Sequence, residues 1–255
     1  MTEERTATRR PGVEASVRTA AVWAVLSQHA HRHAAALGRP LLVLDLGGGS
    51  GGFAVPLAQA GHEVTVVDPS PDALASLRRR ADEVGASARI RAAQGDADAL
   101  ATLLGGSSVD LVTCHGTLEH VDDPAATLAR LADALAPGGL LSLVVAQRHA
   151  AVLARVLAGS IDRAAAALTS PEGRCGEDDP LPRRFDRDAL VALVEDTGLR
   201  VLEAHGVRIF TELAPSSALD SESDRQALLA LEEVAAAHPA LAALGAALHV
   251  VAERA

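Results

Sequence analysis

The stretch Leu41-Leu42-Val43-Leu44-Asp45-Leu46-Gly47-Gly48-Gly49-Ser50-Gly51-Gly52 decides the fold. Its apolar start reads as a buried strand, and its glycines read as a tight turn that opens a helix over about 52–60. Glycine is required there because such a turn needs positive φ and because a ligand must approach bare backbone. Outward from this point the alternation continues: strand about 63–67, helix 71–84, strand 89–93, helix 97–104, strand 109–114, helix 124–136 and strand 140–146, with Pro137-Gly138-Gly139 as the break between the last two. Strands alternating with helices predict a parallel sheet covered on both faces.

Ahead of the glycine loop, Val13, Val17, Ala20, Ala21, Ala24, Val25 and Leu37 stand at helical spacing and predict a leading helix over 13–37, behind a disordered tail at 1–12. Beyond 146 the rhythm changes. Residues 147–184 read as helix and then loop, a helix at 186–197 and a strand at 199–209 restore the pattern, 215–245 reads as helical, and a last strand follows at 247–253. The expected fold class is α/β: a Rossmann-like, seven-stranded, mostly parallel, doubly wound sheet over 13–255, with helical cap insertions at about 147–184 and 215–245 packed over one edge.

The composition bounds the partners. Of 255 residues, 23 are basic and 33 acidic, a formal charge of −10, and every basic residue is arginine. The rings are Phe53, Phe185, Phe210 and Trp23, with no tyrosine. Such a chain is unsuited to a broad electrostatic grip on nucleic acid or to base-stacking platforms, though a local arginine patch remains open to it. Cys114 and Cys175 make no disulfide framework and no metal-type pair, so a reducing cytoplasm is the expected location and no metal is expected. Met1 to Pro11 has no apolar core of a secretory signal, and no apolar run is long enough to span a membrane.

The loop fits two patterns. Gly47-x-Gly49-x-x-Gly52 matches the dinucleotide fingerprint, and Asp45-x-Gly47-x-Gly49-x-Gly51 matches the S-adenosylmethionine loop. Asp68, closing the next strand, can accept both ribose hydroxyls in either case. Three features favour the methyl donor. A carboxylate at Asp45 would repel a pyrophosphate but suits a sulfonium and an ammonium; Gln94-Gly95-Asp96 places an acid near an adenine amino group; and the fourth strand runs into Asp110-Leu111-Val112-Thr113-Cys114-His115-Gly116-Thr117-Leu118-Glu119-His120. Over about 41–146 the chain therefore resembles the class I S-adenosylmethionine-dependent methyltransferases.

The flanks narrow the resemblance. Val17-Arg18-Thr19-Ala20-Ala21-Val22-Trp23, Leu141-Ser142-Leu143, Ala158-Gly159-Ser160-Ile161-Asp162, Gly206-Val207-Arg208-Ile209-Phe210 and the Leu231-Glu232 helix are similar to the bacterial tRNA 5-carboxymethoxyuridine methyltransferases. That resemblance implies methyl transfer to the carboxylate of a modified wobble uridine in tRNA, giving an ester. It implies a donor site made of Arg18, Asp45, Gly47, Gly48, Gly49, Gly51, Asp68, Pro69, Gln94, Asp96 and His115, with Arg18 over the donor's carboxylate and His115 lining the pocket. The cap departs from the family in carrying Glu177, Asp178 and Asp179 and few rings.

A carboxylate acceptor is already ionised at pH 7, so no general base is needed, and alignment and desolvation carry the catalysis. A carboxylate calls for a bidentate arginine; Arg208 is the first candidate, ahead of Arg148, Arg174, Arg183 and Arg184. Arg208 and His115 are the catalytic candidates. The competing readings are a small-molecule carboxyl or hydroxyl methyltransferase, which predicts an apolar, enclosed cap pocket, a non-catalytic S-adenosylmethionine-binding protein, and a nicotinamide-dependent oxidoreductase. Blander roles suffice for several other residues: His29, His31 and His33 as a solvated helix end, Cys114 as a small core hydrophobe, Glu119-His120 as a base for a hydroxyl or amine acceptor or as a helix cap, and Arg78-Arg79-Arg80 as a solvated face.

Overall fold

The computed structural model describes residues 17–214, 221–236 and 238–255. Residues 1–12, and the parts of the leading helix and second cap stretch expected at 13–16 and 215–220, lie outside the described residues. The elements alternate in the order α1 (Val17–Leu37), β1 (Leu42–Leu46), α2 (Ala54–Gln59), β2 (Glu63–Asp68), α3 (Pro71–Glu83), β3 (Ile90–Gln94), α4 (Leu100–Leu104), β4 (Val109–His115), α5 (Pro124–Ala134) and β5 (Leu135–Ala146). Then follow α6 (Arg148–Leu157), α7 (Ile161–Thr169), α8 (Arg187–Glu195), β6 (Leu199–Val207), α9 (Glu222–Ala236), α10 (Pro239–Ala242) and β7 (Ala247–Arg254).

The strands form one seven-stranded sheet in the order β3-β2-β1-β4-β5-β7-β6, parallel except for β7, which runs antiparallel to both neighbours. Strand order reverses between β1 and β4. At such a reversal the loops leaving the two strands diverge to opposite faces and open a crevice beyond their carboxyl ends, where doubly wound sheets bind ligands. The apolar residues divide into two main clusters, one including Leu128, Leu131 and Leu190 from α5 and α8, the other Leu26, Leu57 and Leu77 from α1, α2 and α3.

Two local expectations shift. Helix 97–104 begins as a short 3-10 turn, Ala97–Ala99, because Asp96 Oδ1 accepts from Asp98 N at 3.0 Å and tightens the first turn. Helix α5 ends at Ala134 and β5 starts at Leu135, before the Pro-Gly-Gly turn and not after it. Arg254 of β7 donates to the carbonyls of Ala132 and Asp133, which satisfies the end of the helix from outside, and the β4–β5 register absorbs the extra residues as an irregularity between Val109 and Leu111. The first cap stretch is the α6–α7 hairpin, which follows β5 directly, while α9 of the second packs on α1 and β6.

Candidate active site

The glycine loop is built by steric necessity. Gly47, Gly49 and Gly51 have φ of 70, 54 and 80°, and Gly47 N donates to Val67 O at 2.7 Å, which ties the loop to the end of β2. A Cβ on Gly47 would stand 1.9 Å from Thr117 Oγ1, and one on Gly48 would stand 2.4 Å from Asp45 Oδ2. The backbone at both positions thus lies against the side chains that frame the crevice. Asp68 is nearly buried and accepts from Gly49 N through Oδ2 and from Ser70 N through Oδ1, both at 2.9 Å. Each carboxylate oxygen keeps a second lone pair for a ligand hydroxyl.

Asp45 sits below the loop, 3% exposed, and accepts from Thr113 Oγ1 at 2.7 Å. Burial pushes its carboxyl up to about 6, more than the Thr113 bond pulls it down, and the nearby Asp68 charge adds to the rise. A buried acid with one polar partner stabilises a cation placed above it. Two consequences have opposite signs. The unliganded fold loses stability as pH rises from about 4 to 6, because the native state holds a proton that the unfolded chain releases. Binding of a cationic donor tightens over the same rise, by at most about tenfold per pH unit below 6, and levels above it. Calorimetry with S-adenosylmethionine from pH 5 to 7.5 measures this, and a flat profile would show that Asp45 does not sense the donor.

The other expected donor residues lie around this centre. The Pro69 carbonyl accepts from Gln94 Nε2 at 3.1 Å, which links the ends of β2 and β3, and Asp96 follows as the cap of the 3-10 turn. His115 closes β4 on the far side of the crevice, where its ring meets Phe53 edge-on at a centroid distance of 4.5 Å. Burial pushes its imidazole down to about 3, so it is neutral at pH 7. Arg18 lies in the first turn of α1, and its side chain is outside the described residues.

Arg208 leaves the end of β6 with φ of 58°, and among the described residues it is the non-glycine with positive φ. The conformation is held by Glu232 of α9. Its buried carboxylate accepts from the amides of Ile209, Phe210 and Thr211 and from Thr211 Oγ1, four hydrogen bonds of 2.7–2.9 Å. Glu232→Ala is expected to cost about 3 kcal/mol, because three backbone donors are left without their acceptor in a dry site. A denaturant midpoint unchanged from wild type would contradict that.

Arg208 and Arg184 line a cap cleft of ≈300 Å³ whose walls include Ala150, Ala154, Leu213 and Leu244. The other arginines are committed elsewhere. Arg184 pairs with buried Asp179; Arg148 donates to the carbonyls of Ser170 and Pro171; Arg174 donates to Glu177 O and Arg183 to Asp122 O. Arg208 forms a long ion pair, 3.7 Å to Glu212, and its charge also acts on buried Glu119. The acidic run also changes meaning: Asp179 turns inward to Arg184 and the amides of Cys175 and Leu181, and although burial opposes it, these partners hold its carboxyl well below the usual range.

Some expectations are altered. His29 is no solvated helix end, since its Nε2 meets Glu203 Oε1 at 2.7 Å. Glu119 is buried, and its Oε1 accepts from Ala146 N at 2.6 Å, which ties the loop after β4 to the end of β5. Cys114, by contrast, is the small core hydrophobe expected: it is fully buried, and burial pushes its thiol up, away from nucleophilic use. Thr113, Thr117, Ser142, His249 and Glu232 were not foreseen. Thr113 alone carried a signal: it stands two residues before His115 on β4 and so shares its face.

A family model described as "Methyltransferase domain" matches residues 21–204. The chain belongs to the methyltransferase domain family. It is 31% identical over 236 residues to the tRNA 5-carboxymethoxyuridine methyltransferase of Escherichia coli K12, a match spanning 91% of this chain and 87% of that one. Among solved structures, a Mesorhizobium loti S-adenosylmethionine-dependent methyltransferase superposes with a TM-score of 0.64 at 20% identity, covering 95% of this chain and all of that one. The Synechocystis magnesium protoporphyrin IX methyltransferase with bound S-adenosylhomocysteine gives 0.58 at 20% identity, covering 98% and 90%. Both likenesses are of fold. This methyltransferase has S-adenosylmethionine as its donor, and its nearly buried Asp68, buried Asp45 and glycine-rich loop fit a ribose and a cation. Among the described residues no helix is long and apolar enough to cross a membrane.

Proposed function

We propose that this methyltransferase esterifies the carboxylate of a modified wobble uridine in tRNA, in the cytoplasm. The observation that carries the reading is Arg208, set in the cap cleft on a turn that Glu232 braces. The 31% relative, matched over most of both lengths, supports the same acceptor. When bound, S-adenosylmethionine supplies an electrophilic methyl group on a cationic sulfonium.

The chain's own residues do the rest. Asp68 holds the ribose; Gln94 and Asp96 border the adenine; Arg18 meets the donor's carboxylate; Asp45 offsets cationic charge from below. Arg208 grips the acceptor carboxylate with a planar fork, which orients one oxygen for in-line attack. That nucleophile is ionised at neutral pH and needs no proton removed, in keeping with a neutral His115 and a buried Glu119 tied to backbone. Holding both reactants aligned in a dry cleft can contribute roughly 7–11 kcal/mol.

The cap cleft also favours a second reading, because alanines and leucines dominate its walls as an enclosed small acid would require. One experiment separates the two: mass spectrometry of tRNA nucleosides from cells with and without the protein. Loss of a methyl ester supports the tRNA acceptor. An unchanged nucleoside profile overturns it in favour of a small carboxylic acid.

A further inference from the structure

From His115 of the expected donor site, three further polar side chains continue an unbroken file across four strands. His115 Nε2 on β4 lies 2.9 Å from Ser142 Oγ on β5; Ser142 Oγ lies 2.8 Å from His249 Nε2 on β7; His249 Nδ1 lies 3.2 Å from His205 Nε2 on β6. Ser142 and His249 are buried, 1% and 0% exposed. Beyond His205 stands the His29–Glu203 pair, with His29 on α1, whose charges act on it, and the other end is His115 at the carboxyl end of β4. At the crevice end, His115 Nδ1 is buried and has no hydrogen-bond partner.

One serine proton serves two ring nitrogens. Ser142 Oγ carries one proton and two lone pairs, so whenever that proton is used within the file it donates to one Nε2 and accepts from the other, and neutral His115 and His249 then hold opposite states at Nε2. The 3.2 Å contact then fixes His205 in turn. Two arrangements use the serine proton within the file. In one, His115 carries its proton on Nε2 and leaves a lone pair on the unpartnered Nδ1. In the other, His205 Nε2–H donates to His249 Nδ1, His249 Nε2–H to Ser142, and Ser142 to His115 Nε2, which leaves the His115 proton on the unpartnered Nδ1. Burial lowers all three imidazoles, so the file stays uncharged, and a neutral ring beside a sulfonium avoids the repulsion an imidazolium would bring.

We propose that Ser142, His249 and His205 are positioning residues that hold His115 as the Nδ1–H tautomer, whose N–H donates to the acceptor carboxylate opposite Arg208. The choice of tautomer rests on the carboxylate reading above, because an anion selects the donor state. The shared serine proton does not depend on it.

The test is long-range ¹H–¹⁵N spectroscopy of the histidines in the wild-type S-adenosylhomocysteine complex at pH 7, joined to kinetics. The expected spectrum shows His115 protonated at Nδ1, and His249 and His205 at Nε2. His115 protonated at Nε2, or as an imidazolium, overturns the proposal, as does the same Nε2 state in His115 and His249. Ser142→Ala should mix the His115 tautomers and lower kcat on the modified tRNA about tenfold, with donor KM unchanged, and Ser142→Thr should restore both. A purely structural serine would instead shift melting temperature and donor affinity together and leave the tautomer intact. If wild-type enzyme leaves tRNA unmethylated yet gives the expected spectrum, the tRNA reading fails and the file stands. Methylation with the reversed spectrum removes the file's role and spares the acceptor.

Discussion

Asp68→Ala is expected to weaken S-adenosylhomocysteine binding by about two orders of magnitude while leaving the protein folded. Charge-assisted hydrogen bonds contribute about 1.5–3 kcal/mol each, and every 1.4 kcal/mol is about tenfold in affinity. Two ribose hydroxyls on one carboxylate therefore bring about a hundredfold. The same carboxylate accepts from Gly49 N and Ser70 N, so its loss also frees the turn that shapes the loop. The sheet does not depend on it, because β2 is held by backbone pairing to β1 and β3 along its whole length. Calorimetry reads the affinity and a thermal melt reads the fold. Unchanged affinity would remove Asp68 from the ribose.

Arg208→Gly is expected to lower turnover about a hundredfold or more, with donor affinity held within twofold and stability equal to or above wild type. The loss follows from the absent fork: without it the acceptor carboxylate has no bidentate partner and samples unreactive orientations. The retained stability follows from backbone strain. A non-glycine at φ of 58° costs about 1 kcal/mol, which glycine does not incur, so relieving it offsets lost side-chain packing. Equal turnover in the variant would take Arg208 out of the acceptor site, and a large fall in melting temperature would show that it is structural.

Much of the donor half was legible from local pattern. The apolar run into Gly47 and the acid at Asp68 are determined by short-range geometry, so strand, loop and acid could be read together. The start of β5 at Leu135 was not, because the cap that ends α5 at Ala134 comes from Arg254, about 120 residues away. Pairing order escapes periodicity altogether: nothing in Ala247–Arg254 says that it inserts antiparallel between β5 and β6. For that reason Ser142, His249 and His205 could not be aligned beforehand, since their register depends on that insertion. Glu232 stood in a short motif of the resemblance and Asp179 in an acidic run of the cap, and only tertiary packing turns each inward onto backbone amides. The arginines behaved similarly. Composition counted their charge, but which of them the cap's carbonyls already occupy is a property of the folded chain.

The Glu232 brace separates the two halves of the chemistry in heredity as well as in space. Asp45, Asp68 and the glycine loop hang from β1 and β2, whereas Arg208, proposed for the acceptor, follows β6 on a turn braced from α9 far along the chain. Changes in α9 or in residues 209–213 can tilt Arg208 and retune which acid is accepted without touching the supply of methyl groups. A lineage carrying this arrangement can explore new acceptors by drift in one helix, keeping its donor machinery as an inherited constant.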